Sequence, residues 1–101
     1  MAITSQLSND DQALTISVAG RFDFSLHQEF REAYENSEAD PDAYKVDMRD
    51  ATYLDSSALG MLLLLRDFAG GDQASVEIVN CNADVRKILS ISNFEQLFTI
   101  H

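Results

Sequence analysis

The sequence is poor in the residues that mark several classes of protein. It has one cysteine, one proline and no tryptophan among its 101 residues. The lone cysteine, Cys81, excludes an internal disulfide framework and a multi-cysteine metal site, and we expect it to be a small packed residue. No apolar run approaches the roughly 20 residues of a membrane-spanning helix, and residues 1–5 lack the basic and apolar segments of a secretion signal. We therefore expect a cytoplasmic protein, folded as one domain over residues 1–101.

Basic residues are also scarce. Lysine and arginine number 7 against 17 acidic residues, which gives a formal net charge of -10. Such a surface repels phosphate backbones and anionic lipid, so we predict no direct binding to nucleic acid or to membranes. The acidity would speed encounter with a basic partner surface, but it would equally serve solubility alone.

Groups suited to catalysis are few. Neither His27 nor His101 has a spaced partner that would make a metal site or a catalytic triad. Gly70 and Gly71 follow a predicted helix, so they indicate its end and not a phosphate-binding loop. The acidic residues lack calcium-loop spacing. We predict a protein that is not an enzyme and holds no cofactor or metal.

The pattern of apolar and polar residues in the first half of the chain predicts a β-hairpin followed by a helix. Strands are predicted at residues 2–8 and 13–19, with a turn at 9–11 and Gly20 closing the second strand. A capping box formed by Ser25 and Gln28 predicts a helix over about 25–37. This helix should end before Pro41.

The second half alternates strands with helices. Strands are predicted at about 43–49 and 75–79, helices at about 56–69 and from an Asn82 cap to about 92, and a short strand at the end of the chain. The order β-β-α-β-α-β-α-β predicts an α/β fold with a mixed sheet of four to five strands and parallel crossovers. Because several strands are apolar on one side only, we expect the helices mainly on one face.

Residues 53–65 combine a strand-to-helix turn, two adjacent serines and the most apolar run in the chain. With Ser56 as N-cap, projection at 100° per residue gives two arcs. The arc expected to pack on the sheet holds Ala58, Met61, Leu62, Leu64, Leu65, Phe68 and Ala69. The arc expected to face outward holds Ser56, Leu59, Gly60, Leu63, Arg66 and Asp67.

Two interpretations of this helix start remain open from the residues alone. Aspartate and serine are among the commonest helix caps, so Asp55 and Ser56 could be purely structural. A hydroxyl at a positive helix end, beside exposed leucines, also suits a phosphorylation switch. A phosphate would add about −1.5 to −2 charge, which the helix would tolerate and an apolar partner would not.

The same residues carry a family resemblance. The strand at residues 46–48, followed by Tyr53-Leu54-Asp55-Ser56-Ser57-Ala58-Leu59-Gly60, resembles the STAS domain of bacterial anti-sigma factor antagonists. Gly20-Arg21-Phe22-Asp23 is similar to the family's motif after the second strand, and residues 85–98 are similar to its last helix and terminal strand. Ala58 stands where the family usually has glycine.

The resemblance implies the STAS fold and a switch operated by partners. Ser56 would be phosphorylated by a serine kinase that doubles as an anti-sigma factor, and a PP2C-type phosphatase would reverse the modification. The unphosphorylated form would bind the anti-sigma factor and so release a sigma factor. Asp23 and Asp55 match acidic positions beside this serine, although both also suit turn and cap roles. The expected partner-binding residues are Asp23, Asp55, Ser57, Leu59, Gly60, Leu63 and Arg66, with Ser57 in the first helical turn and not the phosphate acceptor.

The resemblance also admits a second function. The domain could instead be a regulatory or structural subunit of a transporter or a signalling assembly that is not controlled through a sigma factor. The intact Asp55-Ser56-Ser57 helix start and the length of the chain speak moderately against this alternative.

Overall fold

The elements follow the predicted order. The computed structural model describes residues 2–8, 10, 12–36 and 41–101. Its strands and helices are β1 (Ile3–Leu7), β2 (Ala13–Phe22), α1 (His27–Glu35), β3 (Ala43–Leu54), α2 (Ser56–Phe68), β4 (Val76–Val79), α3 (Ala83–Ile91) and β5 (Thr99–Ile100). The predicted turn at 9–11 falls partly outside the described residues, as does the stretch before Pro41 where the first helix was expected to stop.

One sheet contains all the strands of the described chain. Its order is β1-β2-β3-β4-β5. Strand β1 is antiparallel to β2, as the predicted hairpin requires, and the pairs β2–β3, β3–β4 and β4–β5 are parallel. The mixed α/β sheet predicted from the sequence is therefore confirmed.

The sheet has one apolar face. Its register aligns Leu14 with Tyr44 and Tyr44 with Val76, so these buried side chains point to the same side. Side chains on aligned neighbours share a face because the strand period is two. The core cluster that they join also contains the buried residues of the helices: Phe30 and Tyr34 of α1, Ala58, Met61, Leu62 and Leu65 of α2, and Val85 and Leu89 of α3. The helices cover this face, as expected.

Strands β2 and β3 run further than the sequence predicts. Gly20 does not end β2, which continues to Phe22 through register irregularities between Ser17 and Ala19 and between Gly20 and Arg21. Gly20 has a positive φ of 79°, a conformation that glycine adopts easily and that bulged strands use. The extension matters for the site, because β2 and β3 now end side by side.

The start of α1 also differs from its prediction. No capping box forms between Ser25 and Gln28. The side chain of Asp23 accepts the Ser25 N–H at 3.0 Å and opens a short 3-10 turn, while Gln28 Nε2 donates to Glu32 one turn along α1. The carboxylate two residues before Ser25 takes the capping role, since it already sits at the end of β2.

The buried arc of α2 is narrower than its projection. Leu64 and Phe68, both expected in the core, are 57% and 50% exposed. They line a groove of about 320 Å³ between α1 and α2, where the Phe68 ring lies 5.0 Å from that of Tyr34. Helix α1 packs beside this flank of α2 without covering it, which leaves both side chains at an open edge.

Candidate functional site

The start of α2 is capped by Asp55 and not by Ser56. The Asp55 backbone is extended, and its Oδ1 accepts the Ala58 N–H at 3.0 Å and the Ser57 hydroxyl at 2.6 Å. An aspartate that accepts a first-turn N–H in this way is an N-cap. The predicted cap was therefore wrong by one residue, and Ser56 is the first residue of the helix.

The two adjacent serines are in different situations. The Ser57 side chain is half-buried and its hydroxyl is committed to Asp55. Ser56 is exposed, and none of the residues that the structure describes hydrogen-bonds its hydroxyl. Only Ser56 therefore presents an accessible, uncommitted hydroxyl to solvent at the positive end of α2.

The carboxyl group beside Ser56 is held in its charged form. The Ser57 hydroxyl lowers the pKa of Asp55 most, the Ala58 N–H lowers it further, and the positive charge of Arg21 adds a smaller effect in the same direction. Donors that bind the carboxylate favour its ionised form. Asp55 therefore adds a negative charge next to Ser56 at neutral pH.

The ends of β2 and β3 bring the other acidic residue to the same edge of the sheet. The Asp55 N–H donates to the Phe22 carbonyl at 3.3 Å, and Asp23 follows Phe22 directly. The Arg21 guanidinium lies 4.7 Å from the ring centroid of Tyr53, and its Nε is 3.9 Å from Asp23. The predicted residues Asp23 and Asp55 thus lie at the same edge of the sheet as Arg21 and Tyr53.

Sequence reasoning missed both of these additional residues. Arg21 precedes Asp23 by two positions, and Tyr53 precedes Asp55 by two. The register pairs Arg21 with Tyr53 across β2 and β3. A period of two places Arg21 on the face of Asp23, and Tyr53 on the face of Asp55. That spacing was a signal in the sequence, but it becomes useful only once both strands are known to extend this far.

The predicted apolar face of α2 is accessible. Leu63 is 41% exposed, Leu59 is half-buried, and a Cβ added at Gly60 would meet no atom within 4 Å. The chain's own packing therefore leaves open space beside Gly60. Together with Ser56, these residues form a continuous surface on the outer side of α2, because their projected directions fall within one arc.

Arg66 lies about one turn beyond Leu63 on α2, and its guanidinium is engaged in hydrogen bonds. Its Nε donates to the Leu97 carbonyl at 3.2 Å and its Nη2 to Asp72 at 3.0 Å. It lies ten residues along α2 from Ser56, which is about 15 Å at 1.5 Å per residue. The structure thus ties Arg66 to the C-terminal segment and does not bring it together with the serine.

The remaining reactive groups are dispersed. Among the described residues no group of three or more potential metal ligands occurs. His27 stacks on the exposed Phe24 ring at 4.9 Å, and Cys81 is half-buried, with its pKa raised by burial. No helix in the described part of the chain is long and apolar enough to cross a bilayer.

Comparison with known proteins identifies the family. The family model described as "Mlab, STAS domain" matches residues 5–99. The chain belongs to the STAS domain family.

Individual relatives agree with that assignment. A STAS-domain containing protein of Pseudomonas aeruginosa (strain UCBPP-PA14) is 64% identical over 100 residues, which is 99% of each chain. The fold is shared with the anti-sigma factor antagonist SpoIIAA in its unphosphorylated form, at a TM-score of 0.76 and 16% identity, covering 99% of this chain and 88% of the other. It is also shared with a sulfate transporter family protein of Wolinella succinogenes, at a TM-score of 0.74 and 12% identity over 88% and 77% of the two chains.

Proposed function

We propose that this STAS domain is an anti-sigma factor antagonist whose binding is switched by phosphorylation of Ser56. The observation that carries the proposal is the free, exposed Ser56 hydroxyl at the start of α2, in contrast to the committed hydroxyl of Ser57. The accessible surface formed by Leu59, Gly60 and Leu63 adjoins it. A partner packed on this surface would lie directly over the modification.

The switch requires two group transfers. A kinase moves the γ-phosphoryl group of a nucleoside triphosphate to Ser56 Oγ, which loses its proton, and the nucleoside diphosphate leaves. A phosphatase hydrolyses the ester with water, restoring serine and releasing inorganic phosphate. The added charge of about −1.5 to −2 is tolerated by the helix N-terminus, so the fold changes little. A partner with an apolar surface would have to remove water from that charge. Because this is costly, the partner dissociates.

The partners follow from the resemblance of the Asp55-Ser56 motif to anti-sigma factor antagonists. The unphosphorylated domain binds an anti-sigma factor that is also the serine kinase, and a sigma factor is released. A PP2C-type phosphatase restores the binding form. Asp55 directly precedes the serine, and Asp23 follows the adjoining end of β2, so both would contribute to the partner-binding site. We place these events in the cytoplasm, with residues 1–101 acting as a single domain, and the net charge of -10 disfavours direct contact with nucleic acid or membrane.

The experiment that tests this function compares four baits in a native cell lysate: wild type, Ser56→Ala, Ser56→Asp and Ser57→Asp. We expect a serine kinase or anti-sigma factor, identified by mass spectrometry, on the first two and on Ser57→Asp. Ser56→Asp should lose it. Equal retention by Ser56→Asp would contradict the switch, and loss by Ser57→Asp would show that any charge in the first turn acts alike.

A second function is favoured by the likeness to the sulfate transporter family protein. In that case the domain would be a regulatory or structural subunit of a larger assembly. It would then co-purify in one stable complex of fixed stoichiometry, and both Ser56→Ala and Ser56→Asp would leave that complex intact.

A further inference from the structure

We propose that Arg21 is the intramolecular counterion of a phosphate carried by Ser56, and that it positions the modified side chain. This inference rests on the proposed function, since it concerns the phosphorylated state of Ser56. Arg21 would act as a positioning residue and not as a phosphoryl donor or acceptor.

The backbone places Arg21 at the edge of the sheet where Ser56 begins α2. The register pairs Arg21 with Tyr53 and Phe22 with Leu54 in adjacent parallel strands. Two residues after Tyr53 comes Asp55, and Ser56 is next. After the larger effects of the Ser57 hydroxyl and the Ala58 N–H, the Arg21 charge adds a small contribution to the lowered pKa of Asp55. The guanidinium is therefore close to the residue that immediately precedes the serine.

Phosphorylation of Ser56 would place further negative charge beside two carboxylates, which a nearby cation would stabilise. Asp23 from the end of β2 and Asp55 from the end of β3 carry negative charge at this edge. A phosphate at Ser56 would add about two further negative charges beside them. Repulsion would raise the free energy of the dianion unless a nearby cation offsets it, and Arg21, 3.9 Å from Asp23 and stacked over Tyr53, is a cation at this edge.

The present contacts of Arg21 are weak enough to be exchanged. Its side chain is 67% exposed, and its Nε approaches the Asp23 carboxylate no closer than 3.9 Å. The ring over which it lies, Tyr53, is itself 42% exposed. Exposed ion pairs and cation–π contacts of this kind hold an arginine loosely. A guanidinium binds phosphate oxygens through two parallel N–H donors, a stronger arrangement than its contact with Asp23.

The test uses protein in which phosphoserine is installed at position 56 during translation, so that no kinase is needed. Phosphorus NMR then follows the second ionisation of the phosphate with pH in wild type, Arg21→Gln, Arg21→Lys and Lys45→Gln. Lys45 is the matched control, because it is an exposed cation near the opposite end of β3. That end is about 30 Å from Ser56 at 3.3 Å per residue, well beyond the screening length of about 10 Å in 0.1 M salt.

We expect Arg21→Gln to raise the second pKa of the phosphate by roughly half a unit, the size of effect that one neighbouring charge has in a solvent-exposed setting. In Arg21→Lys, which keeps the positive charge, the phosphate pKa should stay near its wild-type value. In Lys45→Gln it should not change. An unchanged phosphate pKa in Arg21→Gln would overturn the proposal, as would an equal shift in Lys45→Gln.

A second measurement leaves Arg21 in place, which guards against a variant that folds poorly. The Nε–H resonance of Arg21 in proton–nitrogen NMR should move and exchange more slowly in the phosphoserine protein than in the unmodified one. A resonance that is identical in both forms would contradict the inference. Because phosphoserine is installed directly, failure of a cellular kinase to modify Ser56 would count against the proposed function alone.

Discussion

Replacing Leu62 and Leu64 by alanine, each in its own variant, tests which side of α2 packs on the sheet. The two residues lie in the same helix and lose the same atoms, and leucine and alanine have similar helix propensities. Leu62 is completely buried, whereas Leu64 is 57% exposed. The difference between the two variants therefore reports burial alone.

The expected costs differ several-fold. A fully buried leucine loses both its transfer free energy and the packing around the resulting cavity, so Leu62→Ala should lower the free energy of unfolding by about 3 kcal/mol. Leu64 buries less than half of its surface, so Leu64→Ala should cost about 1 kcal/mol or less. Urea unfolding followed by circular dichroism measures both values. Equal costs would refute the assignment of the α2 faces and support the broader core arc of the helical projection.

Three further predictions concern single groups. Since two N–H or O–H donors hold the Asp55 carboxylate and lower its pKa below 3.8, its contribution to stability is present above pH 4 and is lost as the pH falls through that lower value. Asp55→Asn should therefore show a shallower loss of stability in acid urea titrations, and an unchanged slope would contradict this. Asn82→Ala should cost about 1 kcal/mol in the same assay at neutral pH, because the Asn82 side chain caps α3 at 2.9 Å; no loss would show that the cap is dispensable. The raised pKa of Cys81 predicts that the rate of its reaction with a thiol reagent still increases with pH at pH 9, the usual pKa, and levels off only above it. A rate that has already levelled off by pH 8 would refute the raised pKa.

The architecture could be predicted because it depends on local periodicity. Alternation at Leu14 and Ile16, and again at Val46 and Met48, places each strand's apolar side on one face. The register then confirms that these faces coincide. Capping of α3 by Asn82 could also be predicted, since a side-chain acceptor three residues before a helical N–H is a local arrangement.

The remaining features depend on contacts between distant parts of the chain. Helical projection shows which residues of α2 share a side, but it does not show that α1 leaves Leu64 and Phe68 in an open groove. The hydrogen bonds of Arg66 could not be predicted either, because its acceptor on Leu97 lies 31 residues further along the chain. The N-cap of α2 was predicted at Ser56 and is found at Asp55. Both residues carry suitable oxygen acceptors, and only the backbone conformation distinguishes them.

The central claim is that Ser56, and not its neighbour, receives the phosphate. The most direct measurement is phosphate mapping by mass spectrometry after incubation with ATP and a native lysate, using wild type, Ser56→Ala and Ser57→Ala. We predict modification of Ser56 in the wild type and in Ser57→Ala, and none at this helix start in Ser56→Ala. Phosphate on Ser57, or a Ser56→Ala protein labelled as fully as the wild type, would contradict the account.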